Sequence, residues 1–312
     1  MTHDRSAGEV GHVESVVSFG AGDRLVGTWC APRRDGTGTG ERPVFLLFNA
    51  GVIPRIGPHR VNVKLARALV REGCASLRFD LSGHGDSRGA SDGLGFVERS
   101  IADVIAAVDA VERQRPGAPV VVFGVCSGAA LGYAAAIRDP RLRGCAMLDP
   151  YMYPTLRTHL IRMRARVRAD RLDAVIGWLR RRLGAGTAPA REKPAPAAGL
   201  GLSRLPKADF AAGLHALLDR GTRLLVVYSG SELYSYNHAG QFDNGFRRFG
   251  LAGRVRAEFV PDLDHTVTEL SAQRWLIDRL LDWVRHDFAA APAIARETLP
   301  RAGRGTEALT SK

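Results

Sequence analysis

Cysteine is scarce in this chain: Cys30, Cys74, Cys126 and Cys145 are the only four in 312 residues. None belongs to a C-x-x-C pair or a Cys/His cluster, so neither a zinc site nor a disulfide framework is expected, and no other cofactor is indicated. Long apolar runs are also missing, and no uninterrupted stretch approaches the ~20 residues of a membrane-spanning helix. The opening Met1-Thr2-His3-Asp4-Arg5 lacks the charged-then-apolar layout of a secretory signal, which leads us to expect a soluble cytoplasmic protein. Aromatic residues make up only 7% of the chain, and no helix-turn-helix, zinc-finger or RNA-stacking pattern is visible. Specific nucleic-acid recognition is therefore not expected, although the net charge is +12 and the pI is near 10.3.

The positive excess is concentrated. Arg157, Arg162, Arg164, Arg166, Arg168, Arg171, Arg180, Arg181 and Arg182 crowd one stretch. Such a run is either a solvated face or an electrostatic landing surface for an acidic acyl carrier protein, the phosphates of coenzyme A or anionic lipid.

The apolar run Val120-Val121-Val122-Phe123 leads directly into Gly124-Val125-Cys126-Ser127-Gly128 and then an alanine-rich helical stretch from Ala129 to Ile137. A sharp strand-to-helix turn strains its central residue, and side chains two positions either side would collide there. Gly124 and Gly128 bracket Cys126 rather than Ser127, so the frame selects the cysteine. Unpaired amides and the positive end of the helix dipole favour thiolate at that position. Cys30, Cys74 and Cys145 sit in or beside strand-like runs and read as buried thiols.

Three further segments accompany the elbow: Asp80-Leu81-Ser82-Gly83-His84-Gly85-Asp86-Ser87 after a strand-like run, Phe45 to Phe48 running into Asn49-Ala50-Gly51-Val52, and Val260-Pro261-Asp262-Leu263-Asp264-His265-Thr266. With these in this order the sequence resembles the α/β-hydrolase superfamily, and within it the serine-aminopeptidase-like and exosortase-associated hydrolases, here with a cysteine nucleophile. The resemblance implies an α/β-hydrolase fold: a mostly parallel, doubly wound sheet with a helical cap inserted after strand 6. It implies His265 as the base and an acid after the strand that precedes the histidine strand. That acid aligns with Glu232, with Asp149 at the end of the sixth strand as the alternative and Asp243 behind both. Asp264 is expected to fix the histidine loop. The oxyanion donors implied are the Ser127 amide and an amide of Gly51 or Val52, while Asn49-Ala50 replaces the frequent His-Gly. His84 is expected to be structural. Arg55, His59 and Arg60 lie on one long loop and either meet a substrate carboxylate or phosphate or, the preferred reading, are simply solvated, and Tyr234, Tyr236, Asn237 and His238 could line the pocket mouth or pack.

Hydrophobic periodicity gives the organisation. Two antiparallel strands, residues 12 to 19 and 24 to 30, precede alternating strands and helices, the signature of a parallel sheet. Strands are expected at about 74 to 81, 118 to 126, 142 to 149, 222 to 229 and 254 to 260. Helices are expected from Pro58, along the stripe Ile101, Val104, Ile105, Val108 and Val111, and near 269 to 288. Residues 1 to 150 and 208 to 288 form the expected core. Residues 151 to 207 form a basic cap of two helices, Leu156 to Val167 and Leu172 to Leu183, plus a flexible Gly/Ala/Pro-rich linker, and 289 to 312 form a disordered tail. The function this implies is acyl-enzyme chemistry by Cys126, His265 and Glu232, as a thioesterase or acyltransferase on a carrier-bound or CoA-bound acyl chain. A carboxylesterase or lactone hydrolase acting on a small ester and a non-catalytic ligand-binding protein are the alternatives.

Overall fold

A computed structural model describes residues 11–33, 42–49, 51–182 and 205–288, with the side chains of 170–182 outside the description. Eight strands form one sheet in the order β1-β2-β4-β3-β5-β6-β7-β8. They are β1 (His12–Phe19), β2 (Leu25–Pro32), β3 (Val44–Leu47), β4 (Ala75–Phe79), β5 (Val120–Val125), β6 (Leu142–Leu148), β7 (Arg223–Ser229) and β8 (Arg256–Val260). The pairs β1/β2 and β2/β4 are antiparallel, and every pair from β4 to β8 is parallel.

Alternation along the strands divides the core into two layers. On β3 and β5, Val44, Leu46, Val120 and Val122 face one way, packing with Ile101, Val104 and Val108 of α2 (Phe96–Gln114), Leu131 of α3 (Ser127–Arg138) and Phe210 and Leu214 of α5 (Lys207–Asp219). Phe45, Leu47, Val121 and Phe123 face the other way, against Leu65 and Leu69 of α1 (Val61–Arg71) and Leu276, Leu280 and Trp283 of α7 (Leu270–Asp287). Burial on both faces explains the near-continuous apolar strands, and each enclosed Leu, Val or Phe contributes about 1.5–3 kcal/mol. Cys30, Cys74 and Cys145 are buried, whereas Cys126 is exposed.

The cap region departs from expectation. Where two basic helices are predicted there is one, α4, spanning Leu156–Arg182. The residues meant to separate them, Arg168-Ala169-Asp170-Arg171, contain neither glycine nor proline, so nothing local interrupts the hydrogen-bond ladder. The predicted linker at 184–200 and the tail at 289–312 lie outside the described residues. Pro58 opens a short 3-10 turn rather than α1, which starts at Val61 after His59 and Arg60 take positive φ.

Because β3 to β8 are parallel, their carboxyl ends share one edge, the usual place for a ligand in such sheets. Val125 pairs with Leu148 and Leu148 with Val227, so the residues that follow these strands are neighbours. Cys126 donates its amide to Leu148 O at 2.8 Å, and Asp149 donates its own to Val227 O at 2.9 Å.

Candidate active site

The turn after β5 holds Cys126 at φ 56° and ψ −118°, immediately before α3. A Cβ at Gly124 would lie 2.3 Å from the Gly128 carbonyl, and one at Gly128 would lie 2.6 Å from the Asn49 carbonyl oxygen. The two framing glycines are thus required for the turn to close and for α3 to approach the end of β3. The exposed thiol is within electrostatic reach of the His265 imidazole and the Ser127 amide. Those interactions, led by the one with His265, outweigh partial burial and hold the Cys126 thiol below its ordinary value.

His265 is carried on the loop after β8. Its backbone amide donates to Ser231 Oγ at 2.6 Å, and its Nδ1 lies 2.8 Å from Asp149 Oδ2. The bond to Asp149, then that to Cys126, raises its pKa to about 10. Asp149 is fully enclosed at its side chain and is anchored by Ser229, whose amide donates to Oδ1 at 2.7 Å and whose hydroxyl donates to Oδ2 at 2.6 Å. The carboxylate therefore fixes both the tilt and the charge of the imidazole. The arrangement favours a thiolate–imidazolium pair, with the imidazole proton toward Asp149 on Nδ1.

This geometry reverses the order of the two candidate acids. Glu232 is exposed in the turn after β7, and its backbone carbonyl accepts from the Ser235 and Tyr236 amides. The position next to His265 that the alignment gives to Glu232 is taken by Asp149, because β6 ends beside β5 and delivers its following residue directly behind the histidine. Asp243 instead accepts from the Gly253 amide, and Asp264 binds Thr266 and Thr268 within the histidine loop. Ser229 and Ser231, which the sequence analysis does not single out, are what aim Asp149 and His265. Gly230 between them is the signal: a Cβ there would sit 1.9 Å from the Pro261 carbonyl oxygen, so the exits of β7 and β8 touch backbone to backbone.

On the loop after β3, the Gly51 amide donates to Ser127 Oγ at 2.8 Å. Its hydrogen is therefore directed to that hydroxyl, which leaves Val52 as the other candidate donor beside the Ser127 amide. Asn49 turns its carboxamide inward, accepting from the Leu81 amide at 2.6 Å and donating to Ile53 O at 3.0 Å. Arg55 is not free for a substrate anion: it pairs with buried Asp80 and with Asp86. His84 contacts Ser82 O and packs on Phe96, outside the thiol–imidazole chain. Of the polar-aromatic run, Tyr236 is buried and stacked on Tyr228, and His238 is buried. Tyr234 and Asn237 line a groove of about 700 Å³ between α4 and the loop leaving β7, with Arg162, Met163, Arg166 and Leu233 among its other walls. Among the described residues no His/Cys/Asp/Glu group could hold a metal ion.

A sequence model described as serine aminopeptidase, S33, matches residues 58–200, a stretch that contains Cys126 and Asp149 and stops short of His265. No curated protein matches the sequence significantly. Several solved structures share the architecture. An α/β serine hydrolase homologue from Coxiella burnetii is 13% identical, with 86% of this chain and 96% of that one covered at a TM-score of 0.51. A cold-adapted esterase from an Arctic intertidal metagenomic library is 16% identical over 90% and 98% of the two chains, at 0.50. The fold is that of the α/β hydrolases. A lidless α/β serine hydrolase from Xanthomonas campestris is also similar, at 14% identity, 89% and 97% coverage and a TM-score of 0.50. At these identities the likeness extends to the α/β-hydrolase scaffold alone. Among the described residues no helix is long and apolar enough to cross a membrane.

Proposed function

We propose that the protein is an acyl-transferring hydrolase in which Cys126 is the nucleophile, His265 the base and Asp149 the acid. The hydrogen bond from His265 to Asp149, together with the lowering of the Cys126 thiol by the same imidazole, carries this reading. A thiolate already paired with an imidazolium attacks a carbonyl without first losing a proton. As its lone pair forms the S–C bond, the carbonyl π electrons move to oxygen, where the Ser127 amide and a donor from the Gly51-Val52 loop stabilise the charge. Collapse expels the leaving group, which takes the proton from His265 Nε2. The Cys126 acyl thioester then meets water or another acceptor, deprotonated by the neutral imidazole, and a second collapse returns the thiolate. Asp149 stays ionised throughout and holds the proton on Nδ1.

Thioesters are the donor class we favour, because a thiolate nucleophile and a thiolate leaving group are nearly matched and exchange is readily reversible. The acyl acceptor then decides between thioesterase and acyltransferase outcomes, with a carrier protein or CoA as the donor's handle. A small ester is the second reading, supported by the esterase among the structural neighbours and by the S33 hydrolase match. Intact-protein mass spectrometry after incubation with a panel of acyl thioesters and p-nitrophenyl esters tests both. A mass gain equal to one acyl group, absent from Cys126→Ala, is expected with thioesters. Adducts only with esters would favour the second reading, and turnover that survives Cys126→Ala would end the nucleophile assignment.

A further inference from the structure

Exposed apolar side chains are unevenly placed. Among the described residues, several large exposed hydrophobics sit on the loops or first helical residues that follow the carboxyl ends of strands, the edge that carries Cys126. Val52 and Ile56 follow β3, Leu94 follows β4, Leu233 and Tyr234 follow β7, and Leu270 follows β8. Val52 and Tyr234 are each 75% exposed and Leu156, at the start of α4, is 84% exposed.

The first turns of α4 add charge to the same edge. At 100° per residue, Leu156, Leu160, Met163 and Val167 fall within an arc of about 60° on the outer side of the helix. Thr158, on the opposite side, is buried against the core. Arg157, Arg164 and Arg168 flank the apolar stripe on one side and Arg162 and Arg166 on the other, and no acidic residue occurs before Asp170. Among the described residues Arg157, Arg164, Arg166 and Arg168 form no ion pair, while Arg162 stacks 4.0 Å over the Tyr234 ring. The first turns of α4 thus carry an apolar ridge between two unneutralised arginine rows, next to an aromatic ring, and that pairing of apolar and basic surface suits an anionic membrane interface.

We propose that the catalytic edge docks on an anionic phospholipid bilayer, with the first turns of α4 in the headgroup plane and the loops after β3 and β7 touching the acyl boundary. The apolar ridge favours lipid over an acidic protein, for which arginines alone would suffice. This goes beyond the chemistry of Cys126 and does not depend on it. It identifies the surface at which an amphipathic acyl donor would be met.

Sedimentation of the full chain with vesicles of phosphatidylcholine alone, or of phosphatidylcholine with phosphatidylglycerol, tests the proposal. Binding is expected with the anionic vesicles. Joint Arg157→Gln, Arg164→Gln and Arg168→Gln should lower the partition coefficient about a hundredfold. Arg71→Gln, Arg113→Gln and Arg223→Gln together remove equal charge at the opposite edge of the sheet and should leave it within about threefold of wild type. Leu160→Ser with Met163→Ser, which changes no charge, should lower it about tenfold. Equal losses from the two arginine sets would reduce the effect to the attraction of any cationic protein. An unchanged partition in the apolar variant would assign the surface to a soluble anionic partner, and no binding to either vesicle would also overturn the proposal. Unaltered alkylation of Cys126 in each variant verifies folding. Cys126→Ala should bind vesicles like wild type, so loss of the catalytic reading leaves this test intact.

Discussion

Asp149→Asn separates the two possible acids more sharply than any other change. The carboxylate is enclosed and accepts from the Ser229 amide, the Ser229 hydroxyl and His265 Nδ1 at 2.7, 2.6 and 2.8 Å. An asparagine can keep its oxygen toward the Ser229 amide, but its NH2 then faces His265 and must donate. His265 Nδ1 becomes an acceptor, the proton moves to Nε2, and the ring can no longer take a proton from the acceptor that resolves the acyl-enzyme. The negative charge that holds the imidazole near pKa 10 disappears as well, so the thiolate–imidazolium pair loses its main support. The expected cost is about 10³–10⁴-fold in kcat, or about 4–5.5 kcal/mol, the scale seen when a triad acid is amidated. Glu232→Gln alters an exposed side chain and should change kcat by no more than about twofold. Turnover of an acyl thioester, with the alkylation rate of Cys126 at pH 7 as an independent reading of the thiolate, measures both variants. A loss in Glu232→Gln comparable to that in Asp149→Asn would refute the assignment.

Iodoacetamide should label Cys126 first in the folded protein, since burial pushes Cys30 up to about 11 and Cys74 and Cys145 to about 12; faster labelling of any of those three, by peptide mapping, would contradict the site. The ion pair has a defined pH window. The His265 contribution is complete below the usual imidazole value and is lost as pH rises through about 10, whereas that of Cys126 is complete above the usual thiol value and is lost as pH falls through its lowered one. The alkylation profile of wild type should therefore hold its plateau below pH 8.5, and His265→Ala should move the midpoint up toward about 8.5. Gly128→Ala forces a Cβ within 2.6 Å of the Asn49 oxygen and should cost about 1–3 kcal/mol in urea denaturation, along with most of the activity.

The sheet, its order of elements and the glycine-framed turn at Cys126 were legible because each is written locally. Period-2 burial splits Phe45 and Leu47 from Val44 and Leu46, and the glycines two residues either side of Cys126 mark the turn whatever surrounds it. The length of α4 was also available locally: the stretch from Arg168 to Arg171 contains no helix breaker, so nothing in it divides the helix in two.

Which carboxylate meets His265 was not legible for a different reason. Asp149 and Glu232 each follow a parallel strand at the same edge of the sheet, and their local sequences offer equivalent exits. What decides between them is register. Cys126 bonds Leu148 O and Asp149 bonds Val227 O, so the residue leaving β6 is set directly behind the imidazole, while Glu232, three residues beyond β7, is exposed. Backbone strain tells the same story. Cys126, Asp149 and Val267 all take positive φ, at 56°, 51° and 54°, in segments that meet around one imidazole. A left-handed aspartate at a strand end is held against its own preference by Ser229, and such cost persists where surrounding contacts over-determine the conformation. Sequence can display both carboxylates; only the pairing of β5, β6 and β7 turns one of them toward His265.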